Sequence, residues 1–178
     1  MKRVTAAVAA LLCVVAASAA WAQADPKKVL RVSLRAAETG FDPQAFSDLY
    51  SGYVIRAIFE PPFRYDYRAR PHKVVPNTTM ALPEGSKDGR EWTIKIKPGI
   101  KYSPPYDDHT VTSADIKYAL ERGFFNSVAA GFTQTYFSDL VGAKVNAKNG
   151  AKISGIETPD DTTVVLNPAW VDGSRFGA

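Results

Sequence analysis

A strict alternation of side-chain character in residues 92–97 limits what this chain can fold into. Apolar side chains take the even-numbered positions, namely Trp92, Ile94 and Ile96. Successive side chains of a strand point to opposite faces, so the pattern predicts a strand that is buried on one face and solvated on the other. The Pro-Gly pair at 98–99 suits a type II turn, and the alternation resumes in residues 100–102. We therefore predict a hairpin whose apolar face packs on a core.

A capped helix is the second clear pattern. Thr112 is a suitable N-cap, and Asp115, three residues further on, completes a variant of the capping box. Gly123 is a plausible C-terminal stop. The predicted buried stripe of this helix consists of Ile116, Ala119 and Leu120. This segment gives the strongest helix prediction in the chain.

Another helix is predicted directly after Asp48, whose carboxylate can cap its first turn. Apolar side chains recur there with a helical period, at Leu49, Tyr53, Val54, Ala57 and Ile58. The Pro-Pro pair at 61–62 ends the helix. The pattern predicts that these apolar side chains form the buried face.

Short strands account for the rest of the regular pattern. Residues 29–34 alternate and are predicted to form the first strand. Residues 152–156 and 162–166 are predicted to form two more strands, joined by a Thr-Pro-Asp-Asp turn at 158–161. Together these elements place the chain in the mixed α/β (α+β) class.

The N-terminus has the features of an export signal. Lys2 and Arg3 precede an apolar run over residues 4–20, and Ala-Trp-Ala at 20–22 supplies a small-x-small cleavage pattern. We predict cleavage after Ala22 and a periplasmic location. The alternative, a membrane anchor, is disfavoured because the apolar run is short and no basic flank follows it.

The single cysteine, Cys13, lies within this predicted signal, after two leucines rather than the small residues of a lipoprotein signal. The remaining residues 23–178 therefore have no cysteine and must fold without a disulfide. Loss of Lys2 and Arg3 reduces the formal charge from +4 to about +2. This near balance argues against nucleic acid or an anionic membrane as a partner.

Few side chains are suited to catalysis. The chain has two histidines, His72 and His109, and the Asp-Asp-His-Thr run at 107–110 is better explained as a polar turn than as a metal site. No nucleophile elbow, paired zinc-binding histidines or phosphate loop is present in the sequence. We expect a binding protein with no cofactor and no metal. Several aromatic side chains in predicted loops weakly support that expectation: Phe41, Phe46, Phe132, Tyr136 and Phe137.

Six short motifs, in this order and spacing, resemble the N-terminal part of the family 5 solute-binding proteins of ABC importers. They are FDP (41–43), IFEPPF (58–63), VPN (75–77), DGREWTIKIKPGIKY (88–102), VTSADIKYALER (111–122) and IETPDDTTVVL (156–166). The resemblance covers about residues 29–166. It implies a type II periplasmic binding protein fold, of which this chain would be a truncated piece.

The same resemblance implies a domain arrangement. Residues 29–48 would form the first strand and loop of lobe I, and residues 49–166 a small α+β subdomain. The hairpin of residues 88–102 in that subdomain would shape the receptor rather than touch the ligand. Residues 167–178 depart from the family pattern and form an atypical tail. We expect such a fragment to bind no solute with useful affinity, because a hinged receptor closes two lobes around its ligand.

The resemblance also implies a function and a site. The chain would belong to a monomeric substrate-binding component that captures a peptide or similar small solute and hands it to an inner-membrane permease. The positions expected to contact ligand are Ser47, Asp48, Phe132 and Tyr136. A purely structural role stays open for two of them, since Asp48 can simply cap its helix and Phe132 can simply pack in the core. A second hypothesis is a fragment of a secreted hydrolase or carbohydrate-active protein whose active residues lie elsewhere.

Overall fold

Antiparallel strands and short helices make up the part of the chain that the computed structural model describes, residues 27–128 and 132–169. In chain order the elements are α1 (Leu49–Ile58), β1 (Phe63–Tyr65), β2 (Val74–Pro76), β3 (Glu84–Gly85), β4 (Trp92–Lys95), α2 (Ser113–Arg122), α3 (Phe132–Phe137), β5 (Ile156–Asp160) and β6 (Thr163–Leu166). The predicted mixed α/β class is confirmed. The chain divides into two units, residues 1–35 and residues 36–178, and the predicted signal peptide lies outside the described residues.

The predicted first strand, residues 29–34, is wrong. Residues 27–35 contain no strand, and the side chains of Leu30 and Val32 are 86% and 73% exposed. Alternation alone does not make a strand, because the backbone N–H and C=O groups of an extended segment also need a neighbouring strand. No described strand pairs with this segment.

The main sheet has four antiparallel strands in the order β3-β4-β6-β5. In its central ladder, Trp92 lies opposite Leu166 and Ile94 lies opposite Val164. Ile96, just past the end of β4, is 2% exposed and belongs to the core, against which Trp92 and Ile94 pack. The predicted inward face of residues 92–96 is therefore confirmed. The buried core residues are Ile96, Phe124, Leu140, Ile153, Ile156, Val164 and Leu166.

The predicted hairpin partner of β4 is wrong. A turn does follow, with Gly99 at a φ of 78°, but residues 100–102 pair with residues 109–111. The N–H of Tyr102 donates to the carbonyl of His109 at 3.2 Å, and the N–H of Val111 donates to the carbonyl of Ile100 at 2.8 Å. β4 pairs instead with β3 on one side and with β6 on the other. The apolar side chains of β6 belong to the same core.

The β5–β6 pair begins and turns later than the sequence predicts. β5 starts at Ile156, not at residue 152, and continues through Pro159 to Asp160. Pro159 has no N–H to donate, and the register shifts between Glu157 and Asp160. The Asp160 carboxylate then accepts hydrogen bonds from the N–H of Thr162 at 2.8 Å and the hydroxyl of Thr163 at 2.7 Å. These bonds place the turn at residues 161–162.

The caps of α2 follow the prediction. The N–H of Thr112 donates to the Asp115 carboxylate at 2.8 Å, as one half of a capping box. Gly123 is the C-cap residue, although its φ of −63° is right-handed and requires no glycine. Local side-chain chemistry therefore defines the N-terminal end of the helix.

The predicted buried stripe of α2 is only partly right. Ile116 and Leu120 pack against the core, but Ala119 is exposed. The helix is rotated because other side chains on it bond to the sheet. The hydroxyl of Ser113 donates to the carbonyl of Asp160, and the ammonium of Lys117 donates to the carbonyl of Ile156, both at 2.6 Å. These two residues are four apart and lie on one face, which turns Ala119 toward solvent.

The predicted buried face of α1 is wrong, although its cap is right. The N–H of Ser51 donates to the Asp48 carboxylate at 2.8 Å, and the buried residues are Ser51, Gly52 and Ile55. Most of the predicted apolar face is exposed, namely Leu49, Tyr53, Ala57 and Ile58. The reason is the loop before the helix: the ring of Phe46 packs so closely on Gly52 that a Cβ there would lie 3.1 Å from it. This contact selects the face that turns inward.

Candidate functional site

The loop of residues 42–48, between the Asp-Pro motif and α1, is fastened to α2 by an ion pair. The guanidinium of Arg122 donates to both carboxylate oxygens of Asp42, and its Nη1 lies 2.8 Å from Oδ1. Oδ1 of Asp42 also accepts the N–H of Gln44 at 3.0 Å. The hydrogen bond from Arg122 holds the pKa of Asp42 below its ordinary value and raises the pKa of Arg122. Both groups therefore stay charged at neutral pH, and the loop has a fixed starting point.

Gln44 ties the same loop to α2 and α3. Its side-chain amide donates to the carbonyl of Ala119 at 2.9 Å, and its carbonyl oxygen accepts the hydroxyl hydrogen of Thr133. Thr133 in turn crowds Gly123 so tightly that a Cβ there would lie 2.6 Å from its side chain. The start of α3 is consequently held against the end of α2 and against the loop.

Three aromatic rings meet where the loop approaches α3, and we call them the aromatic cluster: Phe46, Phe132 and Tyr136. The rings of Phe46 and Phe132 meet edge to face with centroids 6.2 Å apart, and those of Phe132 and Tyr136 lie 6.1 Å apart. Phe132 and Tyr136 are 51% and 62% exposed. The residues 132–137 that the sequence suggested as a loop form the short helix α3, so these two rings project from successive turns.

Asp48 lies two residues beyond Phe46 and carries a well-stabilised negative charge. One carboxylate oxygen accepts the N–H of Ser51, and the other accepts the hydroxyl of Thr39 at 2.5 Å. The N–H of Thr39 donates to the hydroxyl of Ser51 at 2.9 Å, which closes the network. These hydrogen bonds hold the pKa of Asp48 far below its ordinary value. Asp48 is therefore an ionised helix cap at any physiological pH.

The structure brings together the two segments that carry the four predicted site residues. Ser47 and Asp48 immediately precede α1, and Phe132 and Tyr136 lie on α3. Phe46 joins the segments through its ring contact with Phe132. Sequence reasoning treated Phe46 only as a loop aromatic and missed this linking role. It also missed the Asp42–Arg122 pair, although both residues lie in quoted motifs, FDP and VTSADIKYALER.

The arrangement carries groups of the kind that bind small molecules. It combines exposed apolar rings with a carboxylate at a helix N-terminus. Within residues 27–128 and 132–169, no group of three His, Cys, Asp or Glu side chains could hold a metal ion. No helix among those residues is long and apolar enough to cross a membrane.

Two clefts of about 300 and 330 Å³ lie elsewhere. The first is lined mainly by residues 142–154, together with Glu121 and Phe124, and the second by residues 64–68 and Val75. Neither includes the aromatic cluster. Two rings of the cluster, those of Phe132 and Tyr136, are more than half exposed to solvent.

Comparison with protein families gives one match. Residues 73–171, more than half of the chain, match the model described as bacterial extracellular solute-binding proteins, family 5 Middle. No curated protein matches the chain in sequence.

Solved structures share the fold. The chain is similar to the peptide-bound OppA of Listeria monocytogenes (TM-score 0.63, 21% identity, 80% of this chain and 26% of that one). It is also similar to the clavulanic acid biosynthesis oligopeptide-binding protein 2 (TM-score 0.66, 20% identity, 78% of this chain and 26% of that one). A third similar structure is AgaA in complex with agropinic acid from A. tumefaciens R10 (TM-score 0.58, 27% identity, 75% of this chain and 23% of that one). The chain spans about a quarter of the length of these proteins. The match of the family model shows that this chain belongs to the family 5 bacterial extracellular solute-binding proteins.

Proposed function

We propose that this chain contributes to the substrate-binding component of an ABC importer, which captures a peptide or similar small solute in the periplasm and delivers it to a permease. The observation that carries the proposal is the meeting of the aromatic cluster with the start of α1. Family membership supports solute binding over the secreted-hydrolase alternative, and we infer that the component acts without catalysis and as a monomer.

The proposed ligand contacts are Ser47, Asp48, Phe132 and Tyr136, with Phe46 as their support. The exposed rings of Phe132 and Tyr136 offer flat apolar walls for side chains of a peptide. The ionised Asp48 offers an acceptor for polar parts of the solute, and the N–H of Leu49 at the start of α1 offers a donor. This combination of apolar walls with a few fixed polar groups is typical of small-molecule sites.

We further propose that these residues form only one wall of the site. The chain spans about a quarter of the length of the similar binding proteins, and the aromatic cluster is open to solvent. Isothermal titration of the purified chain with a peptide mixture tests this point. We expect no binding at micromolar concentration. Micromolar binding by a monomer would show that the residues of this chain are sufficient to bind peptide.

We also propose that the protein is exported and cleaved after Ala22. N-terminal sequencing of protein from the periplasmic fraction should then begin at Gln23. Periplasmic protein that still begins at Met1 would contradict this proposal without bearing on solute binding.

Uptake measurements test the function itself. Deletion of the gene for the complete binding component that contains these residues should abolish uptake of a labelled short-peptide mixture, and the intact gene should restore it. Genes carrying Phe132→Ala or Asp48→Ala should restore uptake poorly, because a wall or a polar contact of the site is lost. Unchanged uptake after the deletion would contradict the receptor function.

A matched control separates binding from general damage. Tyr106 is a 69% exposed aromatic residue outside the proposed site, so Tyr106→Ala should restore uptake fully. Protein levels of every variant are measured by immunoblot. Full uptake with both site variants at normal protein levels would remove Asp48 and Phe132 from the site.

A further inference from the structure

A strongly basic hairpin stands apart from the aromatic cluster. Strands β1 and β2 pair antiparallel, with Arg64 opposite Val75, and we call residues 63–76 the basic hairpin. It carries four exposed basic side chains, Arg64, Arg68, Arg70 and Lys73, and one acidic residue, Asp66. Its net charge is about +3 at neutral pH. Residues 63–76 thus form one local concentration of positive charge.

Nothing in the described part of the chain neutralises this charge. The ion pairs found there involve none of these four basic residues. Arg70 donates only to carbonyls of its own turn, those of Tyr67 and Ala69. Oδ1 of Asp66 accepts the N–H of Arg68 at 2.9 Å, and the single negative charge of Asp66 leaves the hairpin at about +3. The hairpin therefore presents cationic groups that are free to meet an anion.

Tyrosine rings stand beside these cations. Tyr65 and Tyr67 are 71% and 90% exposed, and Tyr65 touches the ring of His72 with centroids 6.1 Å apart. A cleft of about 330 Å³ opens between the side chains of the hairpin and is lined by residues 64–68 and Val75. Guanidinium groups and tyrosine hydroxyls at one cleft suit a phosphate group.

We propose that the basic hairpin docks on a phospholipid surface that contains anionic headgroups. Arg64 and Arg68 bind headgroup phosphates, and Tyr65 and Tyr67 insert their rings at the boundary between headgroups and acyl chains. Tyrosine prefers that boundary because its ring is apolar and its tip is polar. Basic residues near such a surface each add to the attraction, which weakens with salt.

A lipid surface fits better than an acidic protein. The hot spots of protein interfaces are rings packed into a complementary patch of several hundred Å², whereas the two tyrosines here protrude singly from strands of three residues. The proposal goes beyond solute capture, since docking would hold the receptor beside the membrane. It departs from the expectation drawn from net charge, because a net charge of about +2 over residues 23–178 can include a local charge of about +3.

Vesicle co-sedimentation tests the proposal. The chain, purified from the periplasmic fraction, is mixed with neutral phosphatidylcholine vesicles or with vesicles that contain phosphatidylglycerol. We expect binding to the anionic vesicles only, and its loss at high salt. Arg64→Gln with Arg68→Gln should weaken binding about thirtyfold, as expected for two basic residues near a charged surface. Tyr67→Ala should weaken it further.

The control pair Lys144→Gln with Lys148→Gln removes the same charge from exposed lysines elsewhere and should leave binding nearly unchanged. All variants share one N-terminus, so any contribution from that end cancels. An equal loss in the control pair, or equal binding to neutral vesicles, would overturn the proposal. Capture on immobilised polyglutamate without vesicle binding would overturn it in favour of an acidic protein.

Discussion

Arg122, the last residue of α2, holds both carboxylate oxygens of Asp42, which lies 80 residues earlier in the chain. The contact fixes the start of the loop that carries Phe46 and Asp48. Both side chains of the pair are about one third exposed, so its strength lies between that of a solvated pair and that of a buried pair.

This relationship predicts a measurable coupling. Asp42→Asn and Arg122→Gln, singly and together, should give a double-mutant coupling free energy of about 1 kcal/mol in urea unfolding. The same variants should impair peptide uptake through displacement of the loop. A coupling near zero would mean that the pair does not anchor the loop in solution.

Asp160 predicts a pH dependence of stability. Its hydrogen bonds with Thr163 and Thr162 lower its pKa to about 2 from the ordinary 3.8. A group with a depressed pKa in the folded state stabilises the fold above its unfolded pKa, and that contribution is lost as the pH falls. The free energy of unfolding should therefore decline between about pH 4 and pH 2.

Asp160→Asn tests this explanation, because asparagine does not titrate. The variant should be less stable than the wild type at pH 6 and should lose less of its stability as the pH falls. Urea unfolding at several pH values measures both effects. Identical slopes for the variant and the wild type would show that Asp160 does not contribute.

Core packing predicts a difference between neighbouring positions in and after β4. Ile96 is 2% exposed, whereas Ile94 is only partly buried. Ile96→Ala should cost about 2–5 kcal/mol, and Ile94→Ala should cost less than Ile96→Ala. Lys95→Ala, on the exposed face, should cost about 1 kcal/mol or less. The reverse order in thermal or urea unfolding would mean that the faces are assigned wrongly.

The hydrogen-bonded ion pair of Glu121 with Lys152 predicts that replacing Glu121 destabilises the fold more than replacing Lys152 does. Its side chain is fully buried and accepts the N–H of Ile153 at 3.1 Å and the ammonium of Lys152 at 3.0 Å. Glu121→Ala leaves a buried N–H without its partner and opens a cavity, so it should cost about 2–4 kcal/mol. Lys152→Ala should cost less than about 1 kcal/mol, because that side chain is 70% exposed. Equal costs would mean that the ion pair itself dominates.

The sequence predicts well those features that depend on near neighbours. The caps at Asp48 and Thr112 are right because each requires only a side chain and an N–H two or three residues away. The inward face of residues 92–96 is right because alternation is a property of the strand itself. All of these features can be read from a few consecutive residues.

Features that depend on distant partners were predicted poorly. The pairing of β4 with β6 joins segments about 70 residues apart, and no local pattern identifies it. The buried face of α1 depends on Phe46, and the rotation of α2 depends on bonds to β5. The burial of Glu121 has no sequence signal at all, since a charged residue normally indicates a solvated position. The aromatic cluster was predicted only in part for the same reason, because Phe46 and Phe132 meet across tertiary structure.

The β4–β6 pairing also has a consequence in time. A chain that emerges from its N-terminus first cannot close the central ladder until residues 163–166 are available. Until then β4 has one unpaired edge, and its apolar face lacks the side chains of Val164 and Leu166. Contacts of such long sequence separation slow folding, and they leave apolar surface exposed in aggregation-prone intermediates. The synthesis of β6 therefore determines when the edge and the apolar face of β4 can be covered and protected from aggregation.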